Sequence, residues 1–197
     1  MTRGPARGVG GTPNILLGVV RLATGRADGL AHFGNTTQAF LTSLAPLIAF
    51  PLVGGALLIA NGGGLPALSD LLATLCALLA PPVLSWWFAR LWQREALWPR
   101  FATAFNWCQW AIPVMASILL VVLGLLMAVG LPNRVAGVVA LLGLVSYGLW
   151  LHWFLARRGL GLSVARAVLF VVCVNFGTAA LVIGPRLLMA LVSPDQG

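Results

Sequence analysis

The feature that most constrains this chain is a series of five apolar segments, each long enough to cross a lipid bilayer as a helix. A spanning helix needs about 20 mainly apolar residues. The segments cover residues 37–60, 65–88, 101–129, 135–156 and 163–184. Short polar or glycine-containing turns separate most of them, so consecutive helices should be antiparallel neighbours. The pattern predicts an all-α integral membrane protein, a five-helix bundle.

The composition excludes several classes of protein. The 197 residues are 60% hydrophobic and 8% charged, whereas a soluble domain is about 25% charged. Mean hydropathy is +0.97. These values exclude a soluble globular enzyme and a disordered chain. The net charge of +8 does not indicate a nucleic-acid partner, because the arginines lie between apolar segments, where they act as topology signals and contact anionic lipid headgroups.

The distribution of arginines predicts an orientation. All twelve basic residues are Arg, in a chain rich in Ala, Gly, Leu, Val and Pro, which is typical of a GC-rich bacterial genome. Because cytoplasmic loops carry the excess of basic residues, we expect a multi-pass inner-membrane protein with a cytoplasmic N-terminus and a periplasmic C-terminus. Only Arg134 and Arg186 fall on the predicted outer side. The ten arginines on the predicted inner side are Arg3, Arg7, Arg21, Arg26, Arg90, Arg94, Arg100, Arg157, Arg158 and Arg166.

The chain divides into three parts. Residues 1–36 form a predicted cytoplasmic tail, residues 37–192 the five-span domain, and residues 193–197 an outer tail. Within the first part, residues 13–23 can form a short amphipathic helix that lies on the inner leaflet. Its apolar stretch, 15–20, is too short for the core of a cleaved signal peptide.

Tryptophans and arginines cluster on the predicted inner side. One interpretation is ordinary anchoring at the membrane interface. The alternative is a binding surface for a partner or for lipid. The residues of this predicted rim are Trp86, Trp87, Arg90, Trp92, Arg94, Trp98, Trp150, Trp153, Arg157 and Arg158.

Four polar side chains fall within the apolar segments, where polar groups are costly. Asp70 lies near the outer end of the second segment, and it is expected to be hydrated or to pair with Arg134 or Arg186. Asn106 and Gln109 share one helix face because they are three residues apart. Together with Asn175 they predict hydrogen bonds between helices, or a small polar ligand site.

Small residues recur at helical spacing on the last two segments, which favours close helix packing. They would serve packing within the chain or a dimer seam. They are Ala136, Ala140 and Gly143 on the fourth segment, and Cys173, Gly177, Ala180 and Gly184 on the fifth.

Known catalytic patterns are missing from the sequence. It contains no Walker A motif, no H-E-x-x-H and no G-x-S-x-G. The three cysteines have no metal-binding spacing. His32 and His152 are predicted at the inner interface, where they would not form a paired haem site. We therefore expect a protein without enzymatic activity, cofactor or bound metal.

The span layout over residues 37–192, with a cytoplasmic N-terminus and closely spaced helices, resembles the Yip1-like superfamily of small membrane proteins. The stretch RFATAFNWCQW, residues 100–110, is similar to a segment in uncharacterised small membrane proteins of alphaproteobacteria. The Asp-Leu-Tyr-Gly-Pro-like signature of eukaryotic Yip1 proteins is absent. The resemblance implies a fold and transfers no active site.

Two functions are consistent with this sequence. The first is a structural or accessory component that binds a larger membrane complex or a second copy of itself, or that organises lipid. The alternative is a small transporter or channel with a polar path near Asp70, Asn106, Gln109 and Asn175.

Overall fold

The chain folds into seven α-helices over residues 14–192, the part that the computed structural model describes, with side chains through residue 184. Arg3, Arg7 and the predicted outer tail 193–197 lie outside the described residues. Two 3₁₀ turns, Ala27–His32 and Glu95–Leu97, connect helices, and no strand occurs in the described part. The all-α prediction is confirmed. The helices are α1 Ile15–Ala23, α2 Thr37–Leu58, α3 Gly64–Leu91, α4 Trp98–Cys108, α5 Ala111–Ala128, α6 Asn133–Gly159 and α7 Val164–Val192.

Four largely helical stretches are long and apolar enough to cross a membrane, judged by length and composition: Thr37–Leu91, Glu95–Ala128, Asn133–Gly159 and Val164–Gly184. The first stretch contains a reversal. Gly62 has a φ of +88°, a conformation that glycine adopts without the steric cost of a Cβ. The chain therefore folds back, and α2 packs against α3 as an antiparallel hairpin.

The third predicted segment is not a single helix. The chain turns at Gln109 and Trp110, between α4 and α5. Pro113 explains the break, because a proline has no N–H for the carbonyl four residues earlier and its ring displaces that carbonyl. The Gln109 carbonyl instead accepts a hydrogen bond from the N–H of Ile112 at 3.2 Å. The prediction of one helix over 101–129 is corrected to two.

The five long helices form an open arc in the order α2, α3, α7, α6, α5. The antiparallel pairs come close where small residues allow it. A Cβ on Gly177 of α7 would lie 3.0 Å from a methyl group of Leu84 on α3, and a Cβ on Gly143 of α6 would lie 3.2 Å from Leu119 on α5. The end helices α2 and α5 do not pack along their lengths, so the arc does not close.

Helix α4 fills the arc at one end only. We call this the arginine-rich end, because the last turns of α3 and α6 carry Arg90 and Arg157 there. Every residue of Phe101–Asn106 is buried, and Phe101 packs on Phe170 with ring centroids 5.7 Å apart. At the opposite end, the turn end, most side chains of the arc are exposed, which is typical of helix surfaces that face lipid.

The short N-terminal helix α1 covers α4 on the open side of the arc. Its N-cap is Asn14, whose side chain accepts a hydrogen bond from an N–H of the first turn. Leu22 is fully buried, and the Tyr147 hydroxyl donates a hydrogen bond to the Ala23 carbonyl at 3.2 Å. Leu16 and Val20 are exposed on another face. One face of α1 thus packs on protein while an apolar face remains outward.

We expect Gly177→Leu to lower the free energy of unfolding by about 1–3 kcal/mol, the usual cost of overpacking. A larger side chain at this position would collide with Leu84. Gly184→Leu is the matched control on the same helix, because a Cβ there would meet no described atom within 4 Å. Thermal unfolding of the detergent-solubilised variants measures the difference. Equal melting temperatures for the two variants would contradict the observed α3–α7 packing.

Candidate functional site

The most buried of the predicted polar residues links α4 to α2. Asn106 is 2% exposed, and its Nδ2 donates a hydrogen bond to Ser43 Oγ at 3.0 Å. The Ser43 hydroxyl in turn donates to the Phe40 carbonyl at 2.6 Å. The Asn106 amide and the Ser43 hydroxyl therefore both donate to an acceptor inside the protein. These hydrogen bonds offset the cost of burying the two polar groups, and they fix the position of α4 relative to α2.

A small crevice lies beside this contact, and we call it the polar crevice for the three polar residues in its otherwise apolar lining. Its volume is about 190 Å³, and α2, α3 and the end of α4 form its walls. Asn106, Gln109 and Thr74 supply its polar atoms. Asp70 lies one turn before Thr74 on the same face of α3, and its carbonyl accepts a hydrogen bond from the Thr74 hydroxyl at 2.7 Å. The fold thus brings three of the four predicted polar residues to one side of the bundle.

Asn175 does not belong to this crevice. It lies on α7 and donates a hydrogen bond to the Val171 carbonyl at 2.8 Å, with its Nδ2 3.4 Å from Nδ1 of His152 on α6. The hypothesis of one site formed by Asn106, Gln109 and Asn175 is therefore wrong in its geometry. The amide of Asn106 faces α2, whereas that of Asn175 faces α6.

His152 lies inside the bundle, whereas the sequence predicts it at the inner interface of the membrane. Its ring lies 4.8 Å from that of Phe105, between α4, α6 and α7. Its Nε2 is buried and has no hydrogen-bond partner among the described residues. The position of His152 among apolar residues of α6 is the sequence feature that could have indicated its burial. His152 lies between the buried residues Leu151 and Phe154, at the level where α4 fills the arc.

The predicted Trp/Arg rim lies at the arginine-rich end and combines packed and exposed side chains. Trp98 donates a hydrogen bond from Nε1 to the buried Ser85 hydroxyl at 3.0 Å, and Trp92 stacks on Phe88 with centroids 5.1 Å apart. These two tryptophans are partly inside the protein rather than at a free surface. The members of the rim that are exposed are Trp86, Trp87, Arg90, Arg94, Trp150 and Arg158.

The arginine-rich end carries uncompensated positive charge. Arg21 and Arg26 pair with Asp28 at 3.1 and 3.4 Å. Within the described part of the chain, no carboxylate lies within ion-pair distance of the other six arginines at this end. They are Arg90, Arg94, Arg100, Arg157, Arg158 and Arg166.

An apolar groove of about 550 Å³ runs along the outside of α6 and α7. It is larger than the polar crevice and open to the surroundings of the bundle. Its volume falls within the range of pockets that hold small ligands, roughly 300–1,000 Å³. The residues that define it include Trp150, Trp153, Val168, Val172, Asn175 and Phe176.

The small-residue stripes divide between packed and open positions. Gly143, Gly177 and Ala136 pack within the chain. Cys173 and Ala140 are half-buried. Ala180 is exposed, and a Cβ on Gly184 would have no neighbour within 4 Å. Among the described residues, the first half of the stripe on α7 packs on α3 through Gly177, whereas Ala180 remains open for the dimer-seam alternative.

A double-mutant cycle on Ser43→Ala and Asn106→Ala tests the buried contact. We expect a coupling energy of about 0.6–1.7 kcal/mol, the size measured for hydrogen bonds between helices in membrane proteins. The pair Ser43→Ala and Asn175→Ala is the control, and its coupling should be near zero because the two side chains share no partner. Thermal or denaturant unfolding supplies the four free energies. Equal coupling in the two cycles would contradict the assignment.

The described residues do not bring together a set of metal ligands. No group of three or more His, Cys, Asp or Glu side chains among them could hold a metal ion. Cys108 is buried, Cys173 is half-buried and Cys76 is exposed, and all three are free thiols. No protein-family model, curated protein or solved structure matches this chain, so what it does is inferred from its own residues and contacts.

Proposed function

We propose that this protein is a non-enzymatic accessory or structural component of a membrane complex, a five-span Yip1-like protein of the bacterial inner membrane. The observation that carries the proposal is the open arc. Helices α2 and α5 stand at its two ends and do not pack on each other along their lengths. A transporter needs a path enclosed by helices, whereas an accessory subunit needs helix surfaces that are free to meet a partner.

Helix α5 supplies the clearest of these free surfaces. It packs on α6 through the side that carries Leu119, and its opposite side is exposed. Four of the exposed residues on α5 follow the spacing of four, three and four that forms one face of a helix. This face fits the side of another transmembrane helix. It consists of Val114, Ile118, Val121 and Leu125, which are 55–67% exposed.

Glycines keep the backbone accessible on both end helices. A Cβ added to Gly54 on α2 or to Gly124 on α5 would meet no atom within 4 Å. Helix association in membranes depends on close backbone approach and van der Waals packing, because lipid is as apolar as the helices. These two positions support docking of a partner helix at the ends of the arc.

The charge distribution supports the proposed orientation. The arginine-rich end would face the cytoplasm, as the excess of basic residues in inner loops requires. Arg90, Arg94 and Arg158 are exposed there, within reach of anionic headgroups. The N-terminus would then be cytoplasmic, because α2 starts from this end, and α7 would finish at the periplasmic side.

Native mass spectrometry after mild detergent extraction tests the accessory role. We expect a stable mass larger than that of the chain, containing at least one different polypeptide. That polypeptide would name the process in which the protein takes part. A lone monomer or a homo-oligomer under the same conditions would contradict the proposal.

The glycine on α5 provides a sharper test. We expect Gly124→Leu to reduce the fraction of protein in the complex about tenfold, since overpacking an interface costs about 1–3 kcal/mol. The melting temperature of the isolated chain should not fall, because no atom of the chain would be displaced. Gly137→Leu on α6 is the control, with equally open space around it. Equal assembly of both variants would contradict docking at α5.

The polar crevice supports a second candidate, a small transporter or channel. Thr74, Asn106 and Gln109 line it, and Asp70 lies one turn further toward the turn end. If water reaches this crevice, Thr74→Cys should react with a charged, membrane-impermeant thiol reagent after Cys76 and Cys173 are replaced by Ser. Cys108 remains as an internal control that should stay unlabelled, because it is 1% exposed. No reaction at Thr74→Cys would contradict a water-filled path.

A further inference from the structure

The groove between α6 and α7 is apolar along its length. Val164, Val168 and Val172 form its α7 side, and Trp150 and Trp153 its α6 side. From Val164 to Phe176 the helix rises about 18 Å, which exceeds half of the roughly 30 Å hydrocarbon thickness of a bilayer. The groove is therefore long enough to hold the chain of a lipid that lies parallel to the two helices.

A single arginine marks the end of the groove. Arg157 follows Trp153 by one turn of α6, and its guanidinium carbon lies 5.3 Å from the centroid of the Trp153 ring. This cation–π contact orients the side chain over a residue that lines the groove. No described carboxylate pairs with Arg157, so its charge is available to an anion from outside the protein.

Arg158 and Arg166 are exposed at the same end of the bundle, on the last turn of α6 and the first turns of α7, but neither lines the groove. A partner helix or a neutral lipid in the groove would leave the charge of Arg157 without an opposite charge. An anionic phospholipid matches both parts of the site, because it joins a long apolar chain to a phosphate group.

We propose that this groove binds one molecule of an anionic phospholipid, with an acyl chain along α6 and α7 and its phosphate at Arg157. The bound lipid covers the exposed valines and tryptophans of the groove, and its phosphate neutralises the charge beside Trp153. The proposal rests on the membrane placement proposed above, but it does not depend on the partner that docks at α2 and α5.

Lipid retention measured by native mass spectrometry tests the site. The purified protein is delipidated, and then phosphatidylglycerol or phosphatidylcholine with identical acyl chains is added. We expect one phosphatidylglycerol to bind at least about fivefold more tightly than phosphatidylcholine, the effect of about one arginine at an anionic surface. Arg157→Gln should remove this preference, and Arg157→Lys should keep most of it. Equal binding of the two lipids to the unaltered protein would overturn the proposal.

Blocking the groove tests the acyl-chain contact separately. Val168→Trp fills the apolar channel and should abolish retention of either lipid, and Val172→Trp on the next turn should do the same. Leu169→Trp is the matched control, because Leu169 is 51% exposed on α7 but does not line the groove. Melting temperatures of the three variants should agree. Retention that is unchanged in both groove variants, or lost equally in the control, would overturn the proposal. Loss of lipid while the heteromeric complex persists separates this site from partner docking.

Discussion

The architecture depends on the burial of α4 inside an incomplete ring of helices. In lipid the hydrophobic effect does not favour one helix surface over another, so helix association depends on van der Waals packing and hydrogen bonds. Here a short helix with Phe101 and Phe105 fills the space between α2, α3 and α6 at the arginine-rich end. Aromatic packing and the Asn106–Ser43 hydrogen bond hold it in place. The rest of the bundle is arranged around this insertion.

The same insertion explains the unequal packing of the two ends. Because α4 stops at Cys108 and the chain turns at Gln109, no described residue fills the arc further toward the turn end. The α2–α3 and α5–α6 hairpins extend there with mostly exposed apolar faces. The polar crevice forms at the boundary, where the end of α4 meets α2 and α3. The accessory role and the transport alternative both arise from this boundary, one through the free helix faces and the other through the crevice.

The outer surface of the arginine-rich end places an apolar area next to a positive charge, and an anionic phospholipid can contact both at once. Trp150 and Trp153 offer apolar area, and Arg157 offers charge at the edge of the same groove. Structural tryptophans such as Trp98 serve a different purpose, because Trp98 donates its N–H to a buried serine. A cluster that looks uniform in sequence therefore contains internal supports and a separate external surface.

The sequence by itself determined the helical segments, their hairpin turns and the asymmetry of charge. These properties depend on local composition, since a run of about 20 apolar residues predicts a spanning helix and a glycine allows a tight turn whatever the rest of the fold. It also indicated that Asn106 and Gln109 share a face. The sequence places Pro113 inside the third segment, where a proline tends to kink a helix, but it does not predict the division at Gln109, because prolines such as Pro46 remain inside continuous helices. Only the tertiary structure decided that Asn106 meets Ser43 while Asn175 meets His152, and that α6 and α7 form a groove beside Arg157. The physical reason is that such pairs join residues far apart in the chain, and the choice among apolar helix faces is made by packing shape rather than by hydropathy.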